Sequence, residues 1–166
     1  MTTAIREAAQ YLTFKLGDEV YALDISNVRE VLDFTTVTKV PRMPEFMRGV
    51  INLRGSVVPV VDLRLKLGMT LTEKTVSTCV IITEVQVESG TTVIGALTDS
   101  VQEVLSLEPD SIAPAPRIGT TLQTPFITGM GRQDERFIII LDIDGIFSTE
   151  ELDLVQQDPA VAAGMQ

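Results

Sequence analysis

The sequence predicts an all-β fold made of two similar halves, each of about five strands, that share an apolar interface. Three observations lead to this prediction. Apolar residues make up 45% of the 166 residues, none of them Trp, and most are Val, Ile and Leu, which favour strands. Short apolar runs are separated by turn residues such as Gly, Pro and Asp. Similar residue patterns also recur along the chain at a nearly constant spacing, which indicates an internal repeat.

The first half begins with a predicted hairpin. Residues 11–16 alternate polar and apolar side chains, as expected for a strand with one buried face. Residues 17–19 are a turn signal, and residues 20–23 are predicted as the second strand. Residues 24–33 leave two interpretations open, because their apolar spacing fits a helical stripe while their β-branched content fits a short turn followed by a strand.

A second hairpin is predicted farther along the first half. Residues 50–53 and 57–61 are apolar runs, and the tight reversal Arg54-Gly55-Ser56 separates them. One helical turn is expected at residues 45–48, directly after a proline. A short helical turn is also expected at residues 62–67, which a glycine ends.

The second half repeats this alternation of strands and turns. Residues 77–85 and 92–97 are predicted as strands that flank a glycine-containing turn. The continuous apolar character of residues 137–141 predicts a strand buried on both faces. Residues 143–154 are predicted as a C-terminal helix with a capping box, and residues 155–166 are expected to form a flexible tail.

The internal repeat relates the two halves residue by residue. The equivalent pairs are Leu23 and Leu97, Val31 and Val104, Gly49 and Gly129, and Asp62 and Asp142. The offset is 74 and 73 residues for the first two pairs and 80 for the other two. We therefore expect a single domain over residues 10–154, with repeat units at about 10–68 and 69–147. A unit this small has a poor core alone, so the two must share an apolar interface, and the seam between them is a natural binding groove. Whether the units exchange strands is left open.

Composition excludes several classes of function. The formal net charge of −10 argues against binding to nucleic acid or anionic lipid. The chain has no histidine and one cysteine, which removes most zinc sites, Ser-His-Asp triads and Cys-His pairs. Cys79 is predicted to be a buried core residue. Residues 1–10 mix polar, charged and apolar residues without an apolar run, and no run elsewhere approaches the length of a membrane span, so we expect a cytoplasmic, soluble protein.

Three candidate sites each have a functional and a structural interpretation. Asp62 and Asp142 are a conceivable acid–base pair, but their position before short helices favours helix capping. Glu30, with its repeat equivalent, is either a binding acid or a solvated side chain. Arg54 at a hairpin tip is either an interface anchor or one partner of an intramolecular ion pair, and its spacing does not decide between them.

Several stretches resemble the CheW family of chemotaxis adaptors. They lie at residues 14–23, 28–32, 49–64, 101–105 and 128–131. The run Asn52-Leu53-Arg54-Gly55, followed by Pro-Val-Val-Asp-Leu-Arg from residue 59, is specific in this context. The resemblance covers about residues 10–154.

The resemblance implies a fold and a set of partners. The fold would be two five-stranded, SH3-like β-barrel subdomains packed on a shared core. The family joins the cytoplasmic hairpin tip of chemoreceptors to the regulatory domain of the CheA histidine kinase, in arrays on the inner face of the membrane. It brings no catalytic residues, no cofactor and no metal.

The resemblance also assigns site residues by matching position. The receptor-binding residues would be Val28, Gly49 and Arg54. The kinase-binding residues would be Ile25 and Glu30, together with Ala113 and Ile118 at a second ring contact. Some relatives have Arg in place of Ala113 and an aromatic residue in place of Ile118, so this second contact is either absent or more apolar here.

Three other functions compete with this interpretation. A similar adaptor could serve a pathway other than chemotaxis, such as surface motility. A small-molecule-binding β-barrel would need a ligand cavity, and the packed Val/Ile runs argue against one. An enzyme is the least favoured class, because the sequence lacks catalytic equipment.

Overall fold

The computed structural model describes residues 9–34, 36–87, 90–113, 127–133 and 135–146, which form strands joined by short helices and turns. The strands are β1 (Ala9–Leu16), β2 (Glu19–Asp24), β3 (Val28–Asp33), β4 (Met47–Leu53), β5 (Ser56–Asp62), β6 (Cys79–Val87), β7 (Gly90–Thr98), β8 (Ser100–Leu107), β9 (Ile112–Ala113), β10 (Ile127–Gln133) and β11 (Arg136–Leu141). The helices are α1 (Leu63–Lys66) and α2 (Ile143–Ile146), and 3-10 turns span Ile25–Asn27 and Pro109–Ser111. No helix in these ranges is long and apolar enough to cross a membrane.

The strands form two sheets with the same plan. One sheet has the order β8-β1-β2-β11-β10-β9, and the other has the order β3-β6-β7-β5-β4. Each sheet has one parallel pair, β2 with β11 and β5 with β7, while its other neighbours are antiparallel. Each sheet takes a hairpin from the opposite half of the chain, since β1–β2 joins the second half and β6–β7 joins the first. The halves therefore exchange strands, and the all-β, two-sheet prediction is confirmed.

Many strands are buried on both faces, and the core explains why. In β5, Val58 and Val60 pack in a cluster inside the five-stranded sheet, while Val61 points to a large cluster shared by both sheets. In β11, Ile140 lies in the cluster of the six-stranded sheet and Leu141 in the shared cluster. Alternate residues of one strand thus serve two cores. Burying each such side chain contributes about 2 kcal/mol, so continuous apolar runs are required.

The structure settles the open segment and corrects two predictions. Residues 24–33 form a 3-10 turn followed by β3, with the Asp24 carboxylate accepting the Ser26 N–H at 2.9 Å. The helical turn expected at residues 45–48 is shorter than predicted: the Met47 N–H donates to the Pro44 carbonyl oxygen at 3.0 Å, but β4 already begins at Met47, which is buried and pairs with Val61. Cys79 is only half-buried, because it is the first residue of its strand.

The predicted C-terminal helix is present at its start. Helix α2 covers Ile143–Ile146, and Ile143 and Ile146 are buried in the shared cluster. The remainder of the predicted helix and the expected tail lie outside the described residues.

Candidate partner-binding surface

Three predicted site residues lie close together in the sequence, in an outer strand and in the turn directly before it. Ile25 lies in the 3-10 turn, and Val28 and Glu30 lie in β3, which pairs only with β6 and so forms an edge of its sheet. Ile25 and Val28 are half-buried and pack against the shared cluster. They therefore lie at the margin of the seam between the two sheets, where a partner can reach them.

A bulge in β3 sets where its side chains point. The register with β6 shifts between Val28 and Glu30, which leaves Arg29 as the extra residue. Arg29 forms an ion pair with Glu84 of β6. Bulges of this kind protect an edge strand from unwanted pairing and redirect its side chains. Val28 and Glu30 are both half-buried, whereas the next residue, Val31, is exposed.

Arg54 occupies a two-residue turn between β4 and β5. The turn closes at Leu53 and Ser56, and Arg54 and Gly55 both have positive φ, 51° and 88°. The Asn52 side chain accepts the Gly55 N–H at 2.8 Å. This is the geometry of a type I′ turn, whose first central position normally holds Asn, Asp or Gly. An Arg in this left-handed conformation is uncommon and places its side chain at the outermost point of the hairpin.

The guanidinium of Arg54 pairs end-on with the carboxylate of Glu30. Nη1 donates to Oε2 at 2.6 Å and Nη2 donates to Oε1 at 2.8 Å. The pair connects the hairpin tip to the opposite edge of the five-stranded sheet. The Arg54 hydrogen bond lowers the pKa of Glu30 below its ordinary value, and the positive charges of Arg54 and Arg29 add to this effect.

The intramolecular ion pair that the sequence left open for Arg54 is therefore present. It does not close the site, because 70% of the Arg54 side chain remains exposed, against 28% of the Glu30 side chain. An exposed ion pair contributes little to stability. The resemblance assigned these two residues to different partners, whereas the structure joins them in one pair.

Gly49 has a packing role in β4. It is buried, its φ is 145°, and a Cβ at this position would lie 2.3 Å from the carbonyl oxygen of Thr38. Thr38 exchanges backbone hydrogen bonds with Val50 at 2.8 and 2.9 Å. The repeat equivalent Gly129 is similarly close to the carbonyl oxygen of Ala113, at 2.7 Å. Each glycine thus leaves room for a short segment to pair with the strand that carries it, Thr38 with β4 and β9 with β10.

The second predicted kinase contact lies on the other sheet. Ala113 is exposed at the end of β9, where it pairs with Met130, and β9 is an edge of the six-stranded sheet. Ile118 lies outside the described residues. The predicted site residues therefore fall on two surfaces, one around Glu30 and Arg54 and one at Ala113.

The two aspartates are helix caps, as the structural interpretation predicted. The fully buried carboxylate of Asp62 accepts the N–H groups of Arg64, Leu65 and Thr72, the Thr72 hydroxyl, and Arg48 Nη1 at 3.1 Å. These bonds occupy both of its oxygens, so none is left for acid–base chemistry. The Asp142 carboxylate accepts the Asp144 N–H at 3.1 Å, at the start of α2.

We expect Asp62→Asn to lower the free energy of unfolding by about 2 kcal/mol, because it leaves Arg48 without its anionic partner and turns a buried acceptor into a donor. Asp142→Asn should lower the free energy of unfolding by less than half that amount. Urea denaturation of both variants measures the difference. Equal losses would contradict a special role for the buried Asp62 network.

The segment of the sequence that contains Arg54 carries an excess of positive charge, which the net charge of the whole chain conceals. Residues 39–74 contain seven of the 13 Lys and Arg residues but only three of the 23 Asp and Glu residues. Their balance is therefore +4 in a chain whose net charge is −10. Counting charge by segment would have found this signal. It favours an acidic group as the partner of the exposed Arg54.

Comparisons with known proteins agree with the fold. The family model described as a CheW-like domain matches residues 10–151. The chain is 40% identical over 146 residues to the chemotaxis protein CheW of Klebsiella aerogenes, covering 88% of this chain and 86% of that protein. It is 31% identical over 140 residues to the chemotaxis protein CheW of Thermotoga maritima, covering 82% and 86%.

A solved structure is also similar. The crystal structure of the scaffolding protein TtCheW from Thermoanaerobacter tengcongensis matches with a TM-score of 0.76 and 35% sequence identity. The match covers 87% of this chain and 95% of that one. The match covers most of both chains and supports the two-sheet fold.

Proposed function

This chain belongs to the family of CheW-like domains, and we propose that it is the adaptor that couples chemoreceptor signalling tips to a CheA-type histidine kinase in chemotaxis. The observation that carries the proposal is the 40% identity to a chemotaxis protein CheW over 88% of the chain. The two-sheet scaffold and the exposed Arg54 tip support it. As an adaptor, the protein acts by binding in the cytoplasm and performs no catalysis.

The receptor surface combines an apolar margin with a cationic rim. A receptor hairpin is a pair of helices, which offers an apolar stripe flanked by charged residues. Half-buried Val28, at the seam between the sheets, provides the apolar contact. Arg54 then meets a carboxylate at the rim of the stripe. Buried Gly49 contributes by allowing β4 to lie against Thr38, which positions the hairpin that carries Arg54.

The kinase surfaces lie on the two outer strands. Ile25 lies just before β3 and Glu30 lies in it. Exposed Ala113 lies on β9 of the other sheet, and Ile118 is outside the described residues. Surfaces on two different sheets allow one molecule to hold two kinase regulatory domains at once. Coupling then consists of binding events on one rigid body, each of which raises the effective concentration of the other partner.

A labelled-protein NMR titration tests the proposal. We expect the regulatory domain of the cognate kinase and a chemoreceptor hairpin-tip fragment to shift resonances in separate patches, with the receptor patch including Val28 and Arg54. An unrelated helical hairpin of equal net charge is the matched control. If neither partner shifts any resonance at high concentration, the coupling role is wrong.

A further inference from the structure

Three exposed cations near one end of the five-stranded sheet have no acidic partner. Lys39, Arg42 and Lys74 are exposed, and none of them forms an ion pair within the part of the chain that the structure describes. Arg48 and Arg64, in the same basic segment, each pair with an aspartate. In a chain with 23 acidic and 13 basic residues, three neighbouring cations that no carboxylate neutralises form a local positive field.

These cations surround the buried ring of Phe34. Lys74 Nζ lies 6.0 Å and Arg48 Cζ lies 5.7 Å from the centroid of this ring. The segment that carries Lys39 pairs antiparallel with β4 one residue earlier, so the chain leads Lys39 toward Arg48. Arg42 lies in the turn between this segment and β4. The three unpaired cations therefore lie at the end of β4 that is opposite to the β4–β5 hairpin tip, and we call this region the cationic end.

The loop that carries Lys74 is anchored by the Asp62 network. Thr72 donates its N–H and its hydroxyl to the buried Asp62 carboxylate at 3.0 and 2.7 Å. The residues around this anchor nevertheless present apolar side chains to solvent, since Leu71 is 51% exposed and Val76 is fully exposed. An anchored loop loses less entropy than a mobile one when a partner binds it. Its exposed apolar side chains add contact area beside the cations.

Arg42 has a backbone conformation that arginine rarely adopts. Its φ is 63°, and Pro41 precedes it in the same turn. Turns with proline followed by a positive φ usually place Gly or Asn at the second position. Among the described residues, the only other non-glycine residue with a positive φ is Arg54, which is assigned to receptor binding. Strain that Gly or Asn would relieve points to a function of the Arg42 side chain itself.

The charge distribution favours a short acidic segment over a nucleic acid or a lipid surface. Residues 39–74 have a balance of +4 and the whole chain has −10, so the remaining residues sum to −14. A long polyanion or an anionic membrane approaches these other residues as well and is repelled by them. A short segment interacts mainly with charges within a Debye length, about 8 Å at physiological salt.

We propose that the cationic end is a docking surface for a short acidic segment of a partner protein, in which apolar residues alternate with Glu or Asp. The acidic side chains pair with Lys39, Arg42 and Lys74, and the apolar side chains contact Leu71 and Val76. This partner is additional to the receptor and the kinase. Because the surface lies away from the β4–β5 hairpin tip, the segment binds without displacing a receptor held at that tip.

An NMR titration of the isotope-labelled full chain with a synthetic peptide of Glu and Leu tests the proposal. The shifted amides should cluster at Lys39, Arg42 and Lys74. Lys39→Gln and Lys74→Gln should each weaken binding by about threefold, as expected for one exposed ion pair. The matched control is Arg136→Gln, which removes an exposed cation from the other sheet and should leave the affinity unchanged. A peptide with Gln in place of Glu should bind on the order of tenfold more weakly.

Arg42→Asn separates a role in binding from a role in folding. Asn adopts a positive φ more readily than Arg, so the urea midpoint should rise. Binding of the Glu-Leu peptide should become about threefold weaker, because one cation is lost. A lower urea midpoint would mean that the Arg42 side chain stabilises the fold. An unchanged peptide affinity would remove Arg42 from the docking surface.

Four outcomes would overturn the proposal as a whole. The absence of any shift would mean that the cationic end does not bind acidic segments. Shifts at Val28 and Arg54 instead would place the peptide on the receptor surface. Equal binding of the Gln-containing peptide would mean that charge does not select the partner. Tighter binding of a single-stranded DNA oligonucleotide or of phosphatidylserine vesicles than of the Glu-Leu peptide would assign the surface to another class of partner.

Discussion

Replacing Arg54 with Glu is expected to weaken binding of a chemoreceptor hairpin-tip fragment by a factor on the order of 30 or more, the range of an interface hot spot. The change removes the exposed cation at the centre of the locally basic segment. It also places a second carboxylate beside Glu30, and two carboxylates repel an acidic partner. Calorimetric titration of the wild-type and variant chains measures the effect.

Folding should be unaffected by this change. Arg54 is exposed at a hairpin tip and its ion pair is exposed as well, so the urea midpoint and circular dichroism should match those of wild type. The control is Arg136→Glu, the same charge reversal at the end of the other hairpin, which should retain receptor affinity. If Arg54→Glu unfolds the protein, Arg54 is structural and its assignment to the receptor surface is wrong.

Replacing Gly49 with Ala is expected to lower the free energy of unfolding by at least about 3 kcal/mol. The new Cβ would lie 2.3 Å from the Thr38 carbonyl oxygen, at a φ of 145° that residues other than glycine rarely adopt. Relief requires either the outer segment or β4 to move, and the Thr38–Val50 hydrogen bonds would be lost. Urea denaturation followed by circular dichroism provides the measurement.

The control variant Gly68→Ala measures the cost of a positive φ without a steric clash, so it separates the two effects that Gly49→Ala combines. Gly68 also has a positive φ, 87°, but a Cβ there would meet no atom within 4 Å. This variant should lose only about 1 kcal/mol, the cost of the unfavourable φ alone. If the two variants have the same stability, the Thr38 contact does not constrain Gly49. Because Gly49→Ala is expected to destabilise the fold, a loss of receptor binding by this variant is interpreted only after its stability has been measured.

Local patterns predicted many of the strands and turns correctly. Period-2 alternation identified β1, and turn residues identified both the β1–β2 and β4–β5 hairpins. The predictions failed where neighbours outside the segment decide. Residues 45–48 have a proline at a favourable helix position, yet Met47 begins β4 because its side chain is buried when it pairs with Val61. Phe137 begins an apolar run but is exposed, with the Arg132 guanidinium 6.0 Å from its ring centroid.

The sequence predicts which residues belong to the candidate site, but not how they are arranged in space. The sequence singles out Arg54, because a cation at a hairpin tip in an acidic chain is conspicuous. It does not reveal that Glu30, 24 residues earlier, approaches the same guanidinium. That approach depends on the curvature of the five-stranded sheet, which brings the β4–β5 tip to its opposite edge. The periodic pattern of side chains along a strand or helix does not predict a contact between such distant segments.

The sequence by itself determined most of the strands, the repeat, the aspartate caps and the tight reversal at Arg54-Gly55. Each depends on interactions within a few residues: side-chain alternation, capping geometry and the conformational freedom of glycine. Only the tertiary structure decided that the halves exchange hairpins, because both halves carry similar apolar faces and either could have satisfied the same strand. It also decided the Arg54–Glu30 pair and the contact of Gly49 with Thr38, since both join segments that meet only after the sheets have formed.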